Sequence, residues 1–255
     1  MLGWLPERPV TSAVAALSTL VPDRLYAEVV ARTYRRCEPE LRHLAAFCPP
    51  RGTAVDVGAW YGPWSRALAA RVDRVVAFEP NPDVATILSR TVPSNVSVVR
   101  AAATDRVGTD ELWVPATGMG TEAVASLREV PHATAVSVPT TTIDAQGLSE
   151  VTMLKVDVEG AELEVLRGAT STLDACRPAL LVELEYRRGP VDEVLALLGE
   201  LGYSGEVLLA DQWVPLSSFD LAGHQERVAP TVGGYLSRVL LGGPRYVNNV
   251  LFRAR

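Results

Sequence analysis

The sequence predicts an α/β fold in which a mostly parallel β-sheet is covered by helices on both faces. Three observations predict it. From Thr53 onward, short apolar runs alternate with segments of helical periodicity, the pattern that β-α-β units leave in a chain. The runs are continuous rather than alternating, as strands buried on both faces require. Finally, 255 residues with 48% hydrophobic and 21% charged side chains can bury a core without metal or disulfide staples.

The first fifty residues precede this pattern as a helical extension. Leu25, Val29, Val30 and Thr33 recur at helical spacing after Pro22-Asp23, and Leu41, Leu44, Ala45 and Phe47 follow Pro39 until Pro49-Pro50 close the segment. Residues 51–255 then read as one domain, with strands expected over 54–57, 74–78, 96–99, 153–156, 179–184, 205–209 and 249–252. Helices are expected over 64–70, over 82–91 with a proline suited to the first turn, over 161–167 with Gly168 as C-cap, and over 191–201 closed by Gly202. Residues 111–114 and 135–138 are candidate extra strands around a Gly- and Thr-rich loop at 117–121, a lid or a plain turn. From Pro215 to Pro244 glycines interrupt every pattern, so that stretch reads as an irregular excursion.

Charge and cysteine usage narrow the function classes. Thirty acidic against 24 basic residues, a net charge of −6, argue against a nucleic-acid partner. No run approaches the roughly 18 apolar residues of a membrane span. The mildly apolar stretch 12–21 is preceded by Glu7 and Arg8 and cut by Pro22-Asp23, a poor signal peptide, so the expected compartment is the cytoplasm. Cys37, Cys48 and Cys176 are far apart and read as free thiols.

Chemistry concentrates at three strand ends. Residues 54–62 read A-V-D-V-G-A-W-Y-G, a buried strand entering a glycine turn with Asp56 two residues before Gly58. A dinucleotide fingerprint is G-x-G-x-x-G and seats a pyrophosphate; D-x-G-x-x-x-G instead sets a carboxylate before the turn, which suits a cationic ligand. S-adenosylmethionine (SAM) has a sulfonium and an ammonium and no phosphate, so Asp56 is a candidate for its amino group. Glycines also serve β-α turns for purely local reasons. Glu79 follows the second strand, 21 positions after Gly58, the separation at which a strand-end acid accepts hydrogen bonds from ribose hydroxyls. The third strand end, Lys155-Val156-Asp157-Val158-Glu159-Gly160-Ala161-Glu162, carries the only lysine of the chain and places Lys155 and Asp157 on one side of the strand. Asp157 or Glu159 can contact a substrate hydroxyl, take its proton or hold a divalent ion, whereas Glu162 fits a first helical turn whose dipole its charge complements.

The run from Lys155 to Ala169 resembles the signature of FkbM-type SAM-dependent methyltransferases, as do Thr141-Thr142-Ile143-Asp144, the strand at 178–183 and the closing Asn249-Val250-Leu251-Phe252. The likeness covers roughly residues 52–210 and the last strand. It implies a Rossmann-like class I methyltransferase fold, a seven-stranded mostly parallel sheet with an antiparallel last strand, and O-methylation of hydroxyls on sugars, glycolipids or secondary metabolites. Carried over by position, Asp56, Gly58, Ala59, Tyr61 and Gly62 form the methionine-side turn, Glu79 and Asn81 the ribose side, and Ala102, Ala103 and Asp105 the adenine side. Two positions depart from the family pattern: Trp60 stands where Asn is frequent, and Glu185 where a His is frequent.

In-line methyl transfer needs an oxygen held about 3–3.5 Å from the methyl carbon and a group to remove its proton. Asp157 is the first candidate base, Glu159 the second, and Glu183 completes the catalytic set. Asp157 with Glu183 or Glu185 is a candidate for holding a divalent ion, with no ligand set fixed by the sequence. His43, His132 and His224 are the other possible bases, His224 foremost if the excursion closes over the sheet. Most Trp and Tyr residues read as core, with Trp60 and Tyr61 placed by the turn. The acceptor is expected to be a small molecule or glycan, and the apolar helices of the extension offer a homodimer contact. The rival readings are an NAD-linked oxidoreductase and a non-catalytic nucleotide-binding scaffold.

Overall fold

The computed structural model describes residues 22–115, 125–129, 132–229 and 245–255. Its centre is β1 (Thr53–Val57), whose five residues are all buried. Beside it run β2 (Arg74–Phe78) and β3 (Val96–Val99) on one side, β7 (Val151–Val156) and β8 (Ala179–Glu183) on the other, all parallel. After β8 come β11 (Asn249–Ala254), antiparallel to both its neighbours, then β9 (Tyr203–Leu209) and β10 (Gln212–Pro215). All seven expected strands are present, and β11 is antiparallel as expected. The count is corrected to eight by β10, which forms a hairpin with β9 through Ala210 (φ 44) and Asp211 (φ 64). Two positive φ values make the two-residue turn whose twist suits a hairpin, a turn usually signalled by Asn-Gly. Ala-Asp carries no such signal.

The candidate strands around 111 and 135 are confirmed as β5 (Gly108–Pro115) and β6 (Ala133–Thr141), which pair antiparallel. They join β4 (Ala102–Ala103) in a separate three-stranded sheet. The loop 117–121 between them lies outside the described residues. The excursion is regular in its first part, with β10, a 3-10 turn at Leu216–Ser218 and a helix over Leu221–Val228; residues 230–244 lie outside the description.

Helices cover the sheet as the periodicity requires. The extension forms α1 (Asp23–Cys37) and a 3-10 helix, Pro39–Ala46. It buries Ala27 and Val30, whereas Leu25 is 55% and Val29 51% exposed. Tyr26 packs edge-on against Tyr61 and Tyr34 against Trp60, so aromatic contacts set the rotation of α1. Next, α2 (Pro63–Ala69) starts after Gly62 (φ 81), and α3 (Pro82–Thr91) buries Leu88 beside Ala77 of β2 and Val84 beside Val30, Trp60 and Tyr61. The side chain of Asn81 caps α3, accepting from the backbone N–H groups of Asp83 (3.1 Å) and Val84 (3.3 Å). Beyond β7 follow α4 (Glu162–Arg167), α5 (Thr170–Cys176), α6 (Val191–Glu200) and α7 (Leu221–Val228). Gly202 closes α6 with φ 76, the left-handed residue expected there. Gly168 is the C-cap of α4 as expected, its N–H donating to Glu164 O at 3.0 Å, but not in the left-handed form. Its backbone is right-handed (φ −74), and a Cβ there would lie 1.9 Å from the Thr104 carbonyl oxygen. Because the cap is right-handed, it is the close packing of two chain segments that demands glycine there. Among the described residues no helix is long and apolar enough to cross a membrane. Cys48 and Cys176 are free, as expected.

Candidate functional site at the strand ends

The carboxyl ends of β1, β2 and β7 converge at the turn around Gly58. Gly58 has φ 79, and a Cβ built on it would lie 1.8 Å from the carbonyl oxygen of Asp157. The missing side chain therefore admits the backbone of the β7 loop, tied further by Asp157 N–H donating to Val57 O at 3.0 Å. On the other side the N–H groups of Gly58 and Ala59 both donate to Phe78 O, at 3.1 and 3.0 Å. The turn is thus clamped between its two neighbours.

Two carboxylates flank it. Glu79 is 7% exposed; Oε2 accepts from Trp60 N–H at 2.8 Å and Oε1 from Asn81 N–H at 2.9 Å. Burial pushes its pKa up to about 7, against the lowering effect of those two amides. Asp56 is 1% exposed and accepts from Ser65 Oγ; burial raises it to about 6, with Ser65 and Lys155 opposing. Holding Glu79 puts Trp60 in the left-handed region at φ 49, a strained conformation for an aromatic residue that the amide contact helps fix.

Around this turn lies a cleft with two lobes that share Gly58, Trp60 and Asp157. The larger, about 570 Å³ including its open mouth, is walled by Glu79, Ala102, Ala103, Leu112, Val158 and Glu159 among others. The smaller, about 380 Å³, is walled by Tyr34, Asp56, Ala59, Pro63, Trp64 and Lys155. Their sizes fall in the range of small-molecule sites. The indole N–H of Trp64 is buried with no hydrogen-bond partner among the described residues.

The floor of the smaller lobe is ionic. Lys155 pairs across the sheet with Asp56 and is 1% exposed. Its Nζ donates to Asp157 Oδ2 and to Asn249 Oδ1, both at 3.3 Å, and lies 5.7 Å from the Trp64 ring centroid. Burial alone disfavours the ammonium, but Asp157, Glu183, Glu38 and Asp56 outweigh it and raise the pKa. Glu183, at the end of β8, accepts from Asn248 Nδ2; burial raises its carboxyl well above the usual range, the neighbouring Asp157 charge adds to this, and Lys155 opposes.

With this geometry in view, the chain matches the family described as the Methyltransferase FkbM domain over residues 56–204, more than half its length. The chain belongs to the FkbM methyltransferase family. No curated protein matches it. Among solved structures it is similar to an FkbM methyltransferase of Methylobacillus flagellatus KT (16% identity, TM-score 0.49, covering 80% of this chain and 44% of that one). It is also similar to a precorrin 8W decarboxylase of Methanobacterium thermoautotrophicum (16%, TM-score 0.45, 86% and 89%) and to a precorrin-6y C5,15-methyltransferase of Geobacter metallireducens GS-15 (12%, TM-score 0.44, 84% and 85%). The chain thus spans less than half the length of the Methylobacillus protein.

In this FkbM chain the structure gathers Asp56, Gly58, Ala59, Glu79, Ala102, Ala103, Asp157 and Glu159 around the cleft, and Glu183 just behind Lys155. Four other expected residues serve elsewhere. Tyr61 is 2% exposed in the aromatic contact with α1, Gly62 caps α2, and Asn81 caps α3 while steadying Glu79. Asp105 is exposed and 3.5 Å from Arg106. Glu159 (φ 53) is in close contact with Arg188, which also pairs with Glu185 at 3.0 Å. Glu185 is thus tied into an ionic rim. Glu162 stands in the first turn of α4 as expected; it is 4% exposed and accepts from Gly160 N–H at 2.9 Å, with burial pushing it to about 7. His224 does not face the cleft; its Nε2 accepts from Val247 N–H at 3.1 Å. His43 sits 3.2 Å from Asp211, and His132 is exposed at the start of β6. Among the described residues no group of three or more His, Cys, Asp or Glu could hold a metal ion. Sequence reasoning missed Tyr34, Glu38, Trp64 and Asn249. Only the isolation of Lys155 as a single buried lysine pointed toward them.

Proposed function

We propose that the protein is a SAM-dependent O-methyltransferase acting on a hydroxyl of a sugar, glycolipid or secondary metabolite. One observation carries the reading: two buried carboxylates, Asp56 and Glu79, flank a glycine turn whose spare room is filled by the Asp157 carbonyl. A pyrophosphate needs that room and a row of N–H donors. Here helix α2 opens on Pro63, which has no N–H, and the neighbouring side chains are acidic. The donor set fits a cationic nucleoside and disfavours NAD.

In this reading Glu79 holds the ribose hydroxyls, Ala102 and Ala103 flank the base in the larger lobe, and Asp56 faces the amino group in the smaller. Bound there, SAM supplies a methyl group on a sulfonium that is already a good leaving group. Asp157, shared by both lobes, accepts the hydroxyl proton and orients the oxygen for in-line attack. Trp60, Trp64 and Tyr34 exclude water from the smaller lobe, and α1 brings acceptor selectivity from the extension. The test is transfer of labelled methyl groups from SAM into a cell extract with identification of the product. A methyl ether supports the reading; no transfer by SAM-bound protein supports the scaffold alternative.

A pH dependence follows with a definite sign. Asp56 and Glu79 are raised from 3.8 and 4.5 to about 6 and about 7. Protonated, they stabilise the ligand-free fold; that contribution is complete below their ordinary values and lost as pH rises through the raised ones. A cationic ligand prefers the charged forms, so the thermal shift given by a fixed SAM concentration is expected to grow between about pH 5.5 and 8. A shift that is flat or shrinks contradicts the assignment.

A further inference from the structure

A buried lysine is expensive, and this chain keeps its only one at the floor of the cleft. Neutralising nearby carboxylates would explain a cation there, but the contacts are more directed than neutralisation requires. Two of the three donors of Lys155 are fixed, one on Asp157 Oδ2 and one on Asn249 Oδ1. Asn249 is fixed in turn, its Nδ2 donating to Glu38 Oε2 at 2.7 Å. Glu38 follows α1, so the chain of contacts runs from the N-terminal extension through β11 and β7 to Asp157, which lines both lobes. Asn249 enters β11 opposite Glu183 and is 3% exposed, as is fitting for a rigid link.

We propose that Lys155 is a positioning residue that fixes the Asp157 carboxylate where the methyl acceptor arrives, and that Asn249 and Glu38 hold Lys155 for this task. The assignment rests on the methyltransferase reading above. It also gives the extension a role beyond covering the cleft, since a displacement of α1 reaches Asp157 through three polar contacts. Small misplacements of a reacting group cost about 10²-fold in rate.

The single lysine makes the test direct. Protein grown on [ε-15N]lysine gives one side-chain signal, read with and without SAM in the wild type, Asn249→Leu and Glu38→Gln. Neither variant removes a residue that lines the cleft, and Glu38→Gln keeps the shape of the side chain if Asn249→Leu fails to fold. The expected results are a Lys155 signal that moves on adding SAM and differs in each folded variant. Label transfer from saturating methyl-labelled SAM into extract is expected to fall on the order of 10²-fold for Asn249→Leu, and less for Glu38→Gln, with SAM affinity within about threefold of wild type. If SAM binds but neither signal nor rate changes, the positioning role is wrong and the methyltransferase reading stands. Rate, affinity and melting temperature falling together would likewise reduce these residues to a structural role. If SAM does not bind the wild-type protein, both fall.

Discussion

Asp157→Asn is expected to lower methyl transfer by about 10²- to 10⁴-fold while leaving SAM affinity within a few-fold of wild type. The amide keeps the shape of the carboxylate and can still accept from Lys155 across the 3.3 Å contact, but it cannot take a proton. The change removes a negative charge from a cluster in which Glu183, Glu38 and Asp56 remain to support the lysine. The fold should therefore survive, and a melting curve verifies that it does. Initial rates with methyl-labelled SAM and calorimetric titration of the same preparation separate chemistry from binding. Full turnover with intact SAM binding would remove Asp157 from the base role.

Gly58→Ala has the largest expected structural effect. The added methyl would stand 1.8 Å from the Asp157 carbonyl oxygen, and the residue already holds φ 79. Strain in the left-handed region costs about 1–3 kcal/mol on its own. The steric term is added to it, because the obstacle is backbone of a central strand end and not a movable side chain. Relieving the clash would part β1 from β7 and open the floor of the cleft. Loss of cooperative folding, or a folded protein with no measurable SAM binding, is the expected outcome in thermal denaturation with and without SAM. Gly147→Ala is the control: it shares a positive φ of 58, and nothing lies within 4 Å of the position of its Cβ. A Gly58→Ala protein as stable as Gly147→Ala would show that the close approach to Asp157 does not matter.

How much of this was legible beforehand depended on whether the signal was local. The parallel strands were, because a run such as Ala54-Val55-Asp56-Val57 is continuous in apolar character and helices flank it. Strand-end acids were legible too, since Asp56, Glu79 and Asp157 gain their meaning from the ends of those strands. The hairpin to β10 was not, because Ala210-Asp211 adopts a turn usually marked by glycine. The rotation of α1 was not legible, since aromatic partners Tyr61 and Trp60, far away in sequence, decide which face is buried. The Glu38–Asn249–Lys155 contacts join residues up to 211 positions apart, and no periodicity reports such a pair. Gly168 shows a further limit: it caps α4 as expected, while the need for glycine there comes from a carbonyl arriving from Thr104.

The most direct test of the central claim is calorimetric titration of SAM into the wild-type protein and into Glu79→Gln. The account predicts one SAM bound per chain, no heat with NAD, and at least tenfold weaker SAM binding to Glu79→Gln, the loss typical of a hydrogen bond to a charged group. Equal affinity of the two proteins for SAM, or binding of NAD in its place, would contradict it.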